Sequence, residues 1–198
     1  MRTPNQPMYF VDETPIENEH DREIANTEEL SDHLKIINEA LRFISEIPRI
    51  HSHDNEGDLA LLRLSIRCFN SGSGALKLAR SGYFQQSIAL IRDLVETTFF
   101  IDLFARDRPA LDDWLTLPRK QREKKFSAFK VRSQLDNLDG FKEMRRAAAY
   151  KLFSTYGSHP SYQGHRLVTR RGFPFVAGSD SRLAKEIRHA TIEDCTSR

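Results

Sequence analysis

Hydrophobic and polar positions are most sharply ordered between residues 83 and 104, YFQQSIALIRDLVETTFFIDLF, a stretch with four charged side chains and neither glycine nor proline. Set at helical angles, Phe84, Ile88, Ile91, Leu94, Val95, Thr98 and Phe99 share one broad side. Arg92 and Glu96 lie one turn apart on the other, within reach of each other. Phe100, Leu103 and Phe104 carry the apolar surface round to that polar side, so the pattern predicts a central helix whose C-terminal half is buried all round.

Upstream, Leu30, Leu34, Ile37, Leu41 and Ile44 recur at spacings of three and four. They follow an N-cap at Thr27 and acidic Glu28 and Glu29, which suit the positive end of a helix dipole. This first helix is predicted to end before Pro48, which cannot continue the backbone ladder. A polar connection leads to a second helix from Asp58 through Leu59, Leu62, Ile66 and Phe69 to Leu76 and Ala79. Its middle, Ser71-Gly72-Ser73-Gly74-Ala75, is poor helix material, each glycine costing about 1 kcal/mol against alanine. Either the helix breaks there, or small side chains let a neighbouring helix come close. The apolar period resumes in phase beyond the glycines, which favours close approach.

After the central helix, Pro109 starts a short helix with Leu111, Trp114 and Leu115 on one face. Pro118 opens a basic helix running to Asp136 and carrying Phe126, Phe129 and Val131. Asn137 or Asp139 starts an alanine-rich helix through Phe141, Met144 and Ala147 to Phe153, stopping near Gly157. Residues 161–180 lose the helical period and read as a loop or a small hairpin, Leu167–Thr169 against Phe173–Val176. A last short helix follows from Ser181.

Pro4, Pro7 and Pro15 stand among many acidic residues at the start, so 1–26 reads as a flexible acidic arm and 27–198 as a single helical domain. Residues 1–60 hold 14 acidic and 5 basic side chains, and the remainder 25 basic and 14 acidic. That split fits an acidic arm folded on a basic body, or a basic face for an anionic partner. Two cysteines, Cys68 and Cys195, make neither a disulfide framework nor a structural zinc site. With no apolar leader and no uncharged span long enough for a bilayer, a cytoplasmic protein without a membrane partner is the expectation.

Candidate chemistry is sparse. Arg92 and Glu96, with Tyr150, Ser154 and His159 from the alanine-rich helix and its end, would make a small polar corner if the helices bring them together. Such a corner could hold an anion or do acid–base work, and the same residues also fit a polar network that only fixes helix register. The basic residues Arg119, Lys120, Arg122, Lys124, Lys125, Lys130 and Arg132 are candidates for phosphate contacts, although they spread round their helix. Arg170 and Arg171 on a loop are the better pair for a nucleic-acid phosphate. His51, His53 and Asp54 lack a fourth ligand, so no metal site is expected. No Walker loop, GxGxxG, GxSxG or HExxH occurs, and no cofactor is expected.

The run Gly82-Tyr83-x4-Ile88-x-Leu90-Ile91-Arg92-x-Leu94-x-Glu96, with Tyr150-x3-Ser154-x4-His159-Pro160-Ser161 and Gly164 downstream, resembles an uncharacterised bacterial all-helical family. That family is distantly similar to HEPN-type bundles. The resemblance covers roughly residues 58–190. It implies a helical domain with Arg92, Glu96 and His159 gathered at one end, and a role in defence against mobile elements. HEPN nucleases carry an Arg and a His with four to six residues between them; only Arg182 and His189 match here, and Leu183 departs from the polar residue often found after the Arg.

The sequence therefore predicts an all-α bundle of about five or six helices, with the second, central and alanine-rich helices forming the core. The leading function is a non-enzymatic interaction or regulatory module with a protein partner or self-association through an apolar helix face. The alternative is a HEPN-like RNA-directed nuclease or RNA-binding protein.

Overall fold

The computed structural model describes residues 12–142 and 145–158. These form eight α-helices: α1 Thr14–Ala25, α2 Glu28–Ile50, α3 Glu56–Arg80, α4 Phe84–Arg106, α5 Arg108–Thr116, α6 Arg119–Lys125, α7 Ala128–Leu138 and α8 Arg145–Phe153. A π-helical turn, Ser154–Ser158, extends α8. The all-α expectation holds among the described residues, which contain no strand. The hairpin of 161–180 and the helix from Ser181 lie outside them.

The reading of 1–26 as a flexible acidic arm did not anticipate helix α1 over residues 14–25. Pro15 is tolerated in its first turn, where a backbone N–H would have no helical partner. The helix docks on the end of α3: Glu17 pairs with Lys77, and Asp21 with Arg80 at 2.5 Å. His20 is buried and its Nδ1 donates to the Arg80 carbonyl at 2.6 Å. Acidic residues near the start of the chain thus meet basic ones on the body at these positions.

The helix α2 runs past Pro48 to Ile50. The one ladder bond that proline deletes falls in the last turn, where losing it does not break the helix. Asn55 caps α3, accepting from the Asp58 amide at 2.9 Å, and α3 then continues unbroken through the glycines. A Cβ on Gly72 would lie 2.9 Å from Leu41 of α2, and one on Gly74 2.9 Å from Leu90 of α4. Close approach, not a break, is what the small residues serve. The Ser87 hydroxyl uses the same proximity to donate to the Ala75 carbonyl at 2.8 Å.

The core sits at one end of the α3–α4 pair, where Ala60, Leu103, Phe104, Ala110, Leu111, Phe126, Val131 and Leu135 are buried together. Phe104 is the aromatic centre, with Trp114 at 5.5 Å and Phe126 at 6.0 Å between ring centroids. The sequence was right about Leu103 and Phe104, but on α4 Thr97 is buried and Thr98 exposed. The expected basic helix from Pro118 to Asp136 is two helices. Phe126 ends α6 by turning its ring into the core, and α7 starts after Ser127. The alanine-rich α8 has no buried residue, so it is not a core helix. Methyl groups bury too little area to place it there.

Candidate functional site

Three helices meet at the corner the sequence singled out. Arg92 and Glu96 face outward from the middle of α4, with Arg92 Nε donating to Glu96 Oε1 at 3.0 Å. Their i,i+4 spacing on one helix sets that pair. From α8, Tyr150 brings its hydroxyl to Arg92 Nη2 at 2.5 Å and accepts a hydrogen bond there. The Arg92 and Glu96 side chains keep 27% and 30% of their surface exposed, so the pair is only partly withdrawn from water.

Arg132 of α7 completes the arrangement. Sequence reasoning placed it in the basic run; the structure buries it to 8% exposure. Its guanidinium carbon lies 3.9 Å from the centroid of the Tyr150 ring, with that of Arg92 4.9 Å from the same centroid. The carboxylate one turn further on, Asp136, does not serve Arg132: it accepts from Arg146 at 2.7 Å. Arg132 Nε and Nη1 and the Ser154 hydroxyl, one turn beyond Tyr150, are buried without a hydrogen-bond partner among the described residues.

The π-helical turn fixes Ser154. Gly157 lies against the α4 backbone so closely that a Cβ there would be 2.6 Å from the Ala89 nitrogen. That contact anchors the end of α8 to the start of α4, and with it the Tyr150–Ser154 segment beside Arg92. Of the sequence-predicted group, Arg92, Glu96 and Tyr150 are therefore directly linked, Ser154 is next to them along α8, and His159 lies outside the described residues. The described histidines, His20, His33, His51 and His53, belong to α1, α2 and the α2–α3 connection, none of which contributes to the corner. The carboxylate of the corner, Glu96, is engaged by Arg92.

A second polar group was not legible in the sequence. Asp93, on the next face of α4, accepts from Ser71 Oγ at 2.6 Å and from Arg67 Nε at 3.2 Å. Burial pushes its carboxyl up, but the bonds from Arg67 and Ser71 and the Arg67 charge outweigh that and hold it below the usual carboxylate range. These three residues line an open groove of about 560 Å³ with Leu64, Ile66 and Trp114. Nearby, burial pushes the Cys68 thiol up to about 11, with the Asp93 charge adding to it.

Part of the basic run is paired within the chain. Arg119 pairs with Glu123 at 2.7 Å, Lys125 with Asp113, and Arg122 donates to the Trp114 carbonyl at 3.3 Å. Lys120 and Lys124 are exposed on α6, while Arg170, Arg171, Arg182 and His189 lie outside the described residues. His51, His53 and Asp54 are exposed, and no described group of three or more His, Cys, Asp or Glu could hold a metal ion. Among the described residues no helix is long and apolar enough to cross a membrane.

The surface of α2 is the other unusual feature. Leu34, Leu41 and Ile44 are half-buried, yet no residue of α2 is fully buried. Ile36, Phe43 and Ile50 stand at 66%, 65% and 67% exposure, seven residues apart. Ala40, exposed, and Ile47, half-buried, lie between them along the same row. On one flank of that row the ion pairs Asp32–Lys35, Glu39–Arg42 and Glu46–Arg49 repeat at the same seven-residue interval. Of the face the sequence marked, Leu30, Leu34, Leu41 and Ile44 are half-buried but Ile37 is 42% exposed; the outward row was missed because Leu30 to Ile44 alone satisfy an amphipathic pattern.

No family model matches the sequence, and neither a curated protein nor a solved structure matches it.

Proposed function

We propose that the chain is a non-catalytic helical interaction module that pairs with a second copy of itself through α2. The observation that carries this reading is the exposed row Ile36, Phe43 and Ile50 at a strict seven-residue interval. A heptad-spaced apolar row is the pattern two helices use to pack along each other. Its span of about 21 Å, at 1.5 Å per residue, covers two heptads. The ion pairs on its flank carry acid and base in equal number at the same interval, so a copy related by a two-fold axis meets both signs along its length.

Sedimentation velocity over a wide concentration range tests this. Wild-type protein is expected to move from monomer to dimer as concentration rises. Phe43→Glu is expected to stay monomeric with unchanged helix content, since the side chain is exposed within one chain. A wild-type protein monomeric throughout overturns the reading. So does a dimer that survives both Phe43→Glu and Ile36→Glu.

A further inference from the structure

A cavity takes a small molecule when an apolar floor supplies affinity and a few polar groups at its edge fix the orientation. The open groove of about 560 Å³ between α3, α4 and α5 has both, and its size falls within the roughly 300–1,000 Å³ usual for such sites. Ala60 and Leu64 of α3, with Trp114 and Leu115 of α5, give it an apolar end beside the core. Arg67, Ser71 and Asp93 form a bonded group at the other end, where Asp93 accepts from Arg67 Nε at 3.2 Å and from Ser71 Oγ at 2.6 Å. Arg63 lines the groove between these ends of α3 and is exposed. It makes no hydrogen bond or ion pair among the described residues. Arg67 follows it by one turn, a spacing at which like charges destabilise a helix.

We propose that this groove binds a small amphipathic monoanion, an alkyl or aryl carboxylate. The carboxylate lies on the Arg63 guanidinium and the apolar body over Leu64, against Trp114 and Leu115. Charge complementarity selects the class. The lining carries Arg63, Arg67 and Asp93; Asp93 offsets Arg67, which leaves one positive charge to be met. Other acids on the same three helices already have partners: Asp58 is paired with Arg108, Glu96 with Arg92 and Asp113 with Lys125. Glu56 and Asp112 are exposed and stand outside the lining, where water and salt screen them. A dianion exceeds the single charge, and a neutral molecule leaves Arg63 unmet. Length agrees with an extended chain, since the lining runs along α3 from Ala60 to Ser71, about 16 Å at 1.5 Å per residue. The groove shares no residue with the exposed row of α2, so it stands whether or not the chain dimerises.

Trp114 is the single tryptophan of the chain, so its fluorescence reads this groove directly. Titration with octanoate is expected to shift the emission to the blue and to saturate, because the alkyl chain displaces water from the half-buried indole. Helix content, followed by circular dichroism, should stay constant. Acetate should give no shift, and octyltrimethylammonium a response severalfold weaker. Arg63→Gln, at an exposed position, should weaken octanoate binding severalfold and remove the preference over the octyl cation. Ile66→Glu, which sets an acid at an exposed position of the same lining, should abolish the response. Phe43→Glu, on α2, should respond like wild type. No saturable shift with octanoate, an equal response to the octyl cation, or octanoate binding left unchanged by Arg63→Gln overturns the assignment. So does a shift with acetate as large as with octanoate, or a response lost in Phe43→Glu.

Discussion

Gly157 rests on the backbone of Ala89: a methyl group added to it would come within 2.6 Å of the Ala89 nitrogen and 2.8 Å of the Ile88 carbonyl carbon. Backbone cannot step aside as a side chain can. Gly157→Ala is therefore expected to cost about 2–3 kcal/mol, by forcing the end of α8 off α4. Gly74 provides the comparison, because its added methyl would meet only the tip of Leu90, at 2.9 Å. The helix-propensity gain of about 1 kcal/mol should offset much of that smaller clash, so Gly74→Ala should be nearly neutral. Urea denaturation of both variants checks this; equal losses would mean α8 does not sit on α4 as described.

The Arg92–Glu96 pair should contribute less than a fully buried one. About a quarter to a third of each side chain is exposed, which places the pair between surface bridges, at about 0.2–1 kcal/mol, and buried ones, where breaking costs about 3–5 kcal/mol. Arg92→Ala is expected to lose about 1–2 kcal/mol, and Tyr150→Phe about 1 kcal/mol through its hydrogen bond to Arg92. A double-mutant cycle on Arg92→Ala and Tyr150→Phe should return a coupling of about 1 kcal/mol. Strict additivity would mean that the hydroxyl and guanidinium do not interact in solution.

Periodicity carried the reading of α2, α3 and α4 because each buries a stripe on a neighbour long enough to show the 3.6-residue repeat. The corner was legible for a related reason: Arg92 and Glu96 share a helix, and Tyr150 and Ser154 share a turn. What failed was whatever depends on contacts between distant segments. Arg132 looks like any other basic residue of 119–132 until α8 lays Tyr150 on it and Arg146 takes Asp136. The Asp93 carboxylate has no partner on its own helix; Arg67 and Ser71 reach it from α3. The helix α1 was hidden for the opposite reason, since its few apolar residues give little pattern and ion pairs to Lys77 and Arg80 dock it. The break between α6 and α7 turns on Phe126 choosing the core over the helix, which local propensity does not record.

Asp93 gives stability a pH dependence of definite sign. Its folded pKa lies below the ordinary aspartate value of 3.8, so the folded state favours the charged form. The stabilisation is fully present above that unfolded value and is lost as pH falls through the folded one. Asp93→Asn should lower the urea midpoint near neutral pH, and its deficit against wild type should close as the pH drops below the aspartate range. A deficit unchanged down to strongly acidic pH would assign the loss to packing instead of charge.

Cys68 should be chemically silent in the native protein. It is 3% exposed, and its thiol pKa of about 11 leaves almost no thiolate at neutral pH. The thiolate is the nucleophile, so both access and ionisation oppose reaction. In a Cys195→Ser background, which leaves Cys68 as the sole thiol, labelling by iodoacetamide at neutral pH should be slow in buffer and should accelerate by orders of magnitude in denaturing urea. Its rate at intermediate urea should follow the unfolded fraction, because unfolding exposes the buried sulfur. Rapid labelling without denaturant, at a rate insensitive to urea, would mean that Cys68 is not buried in the free protein.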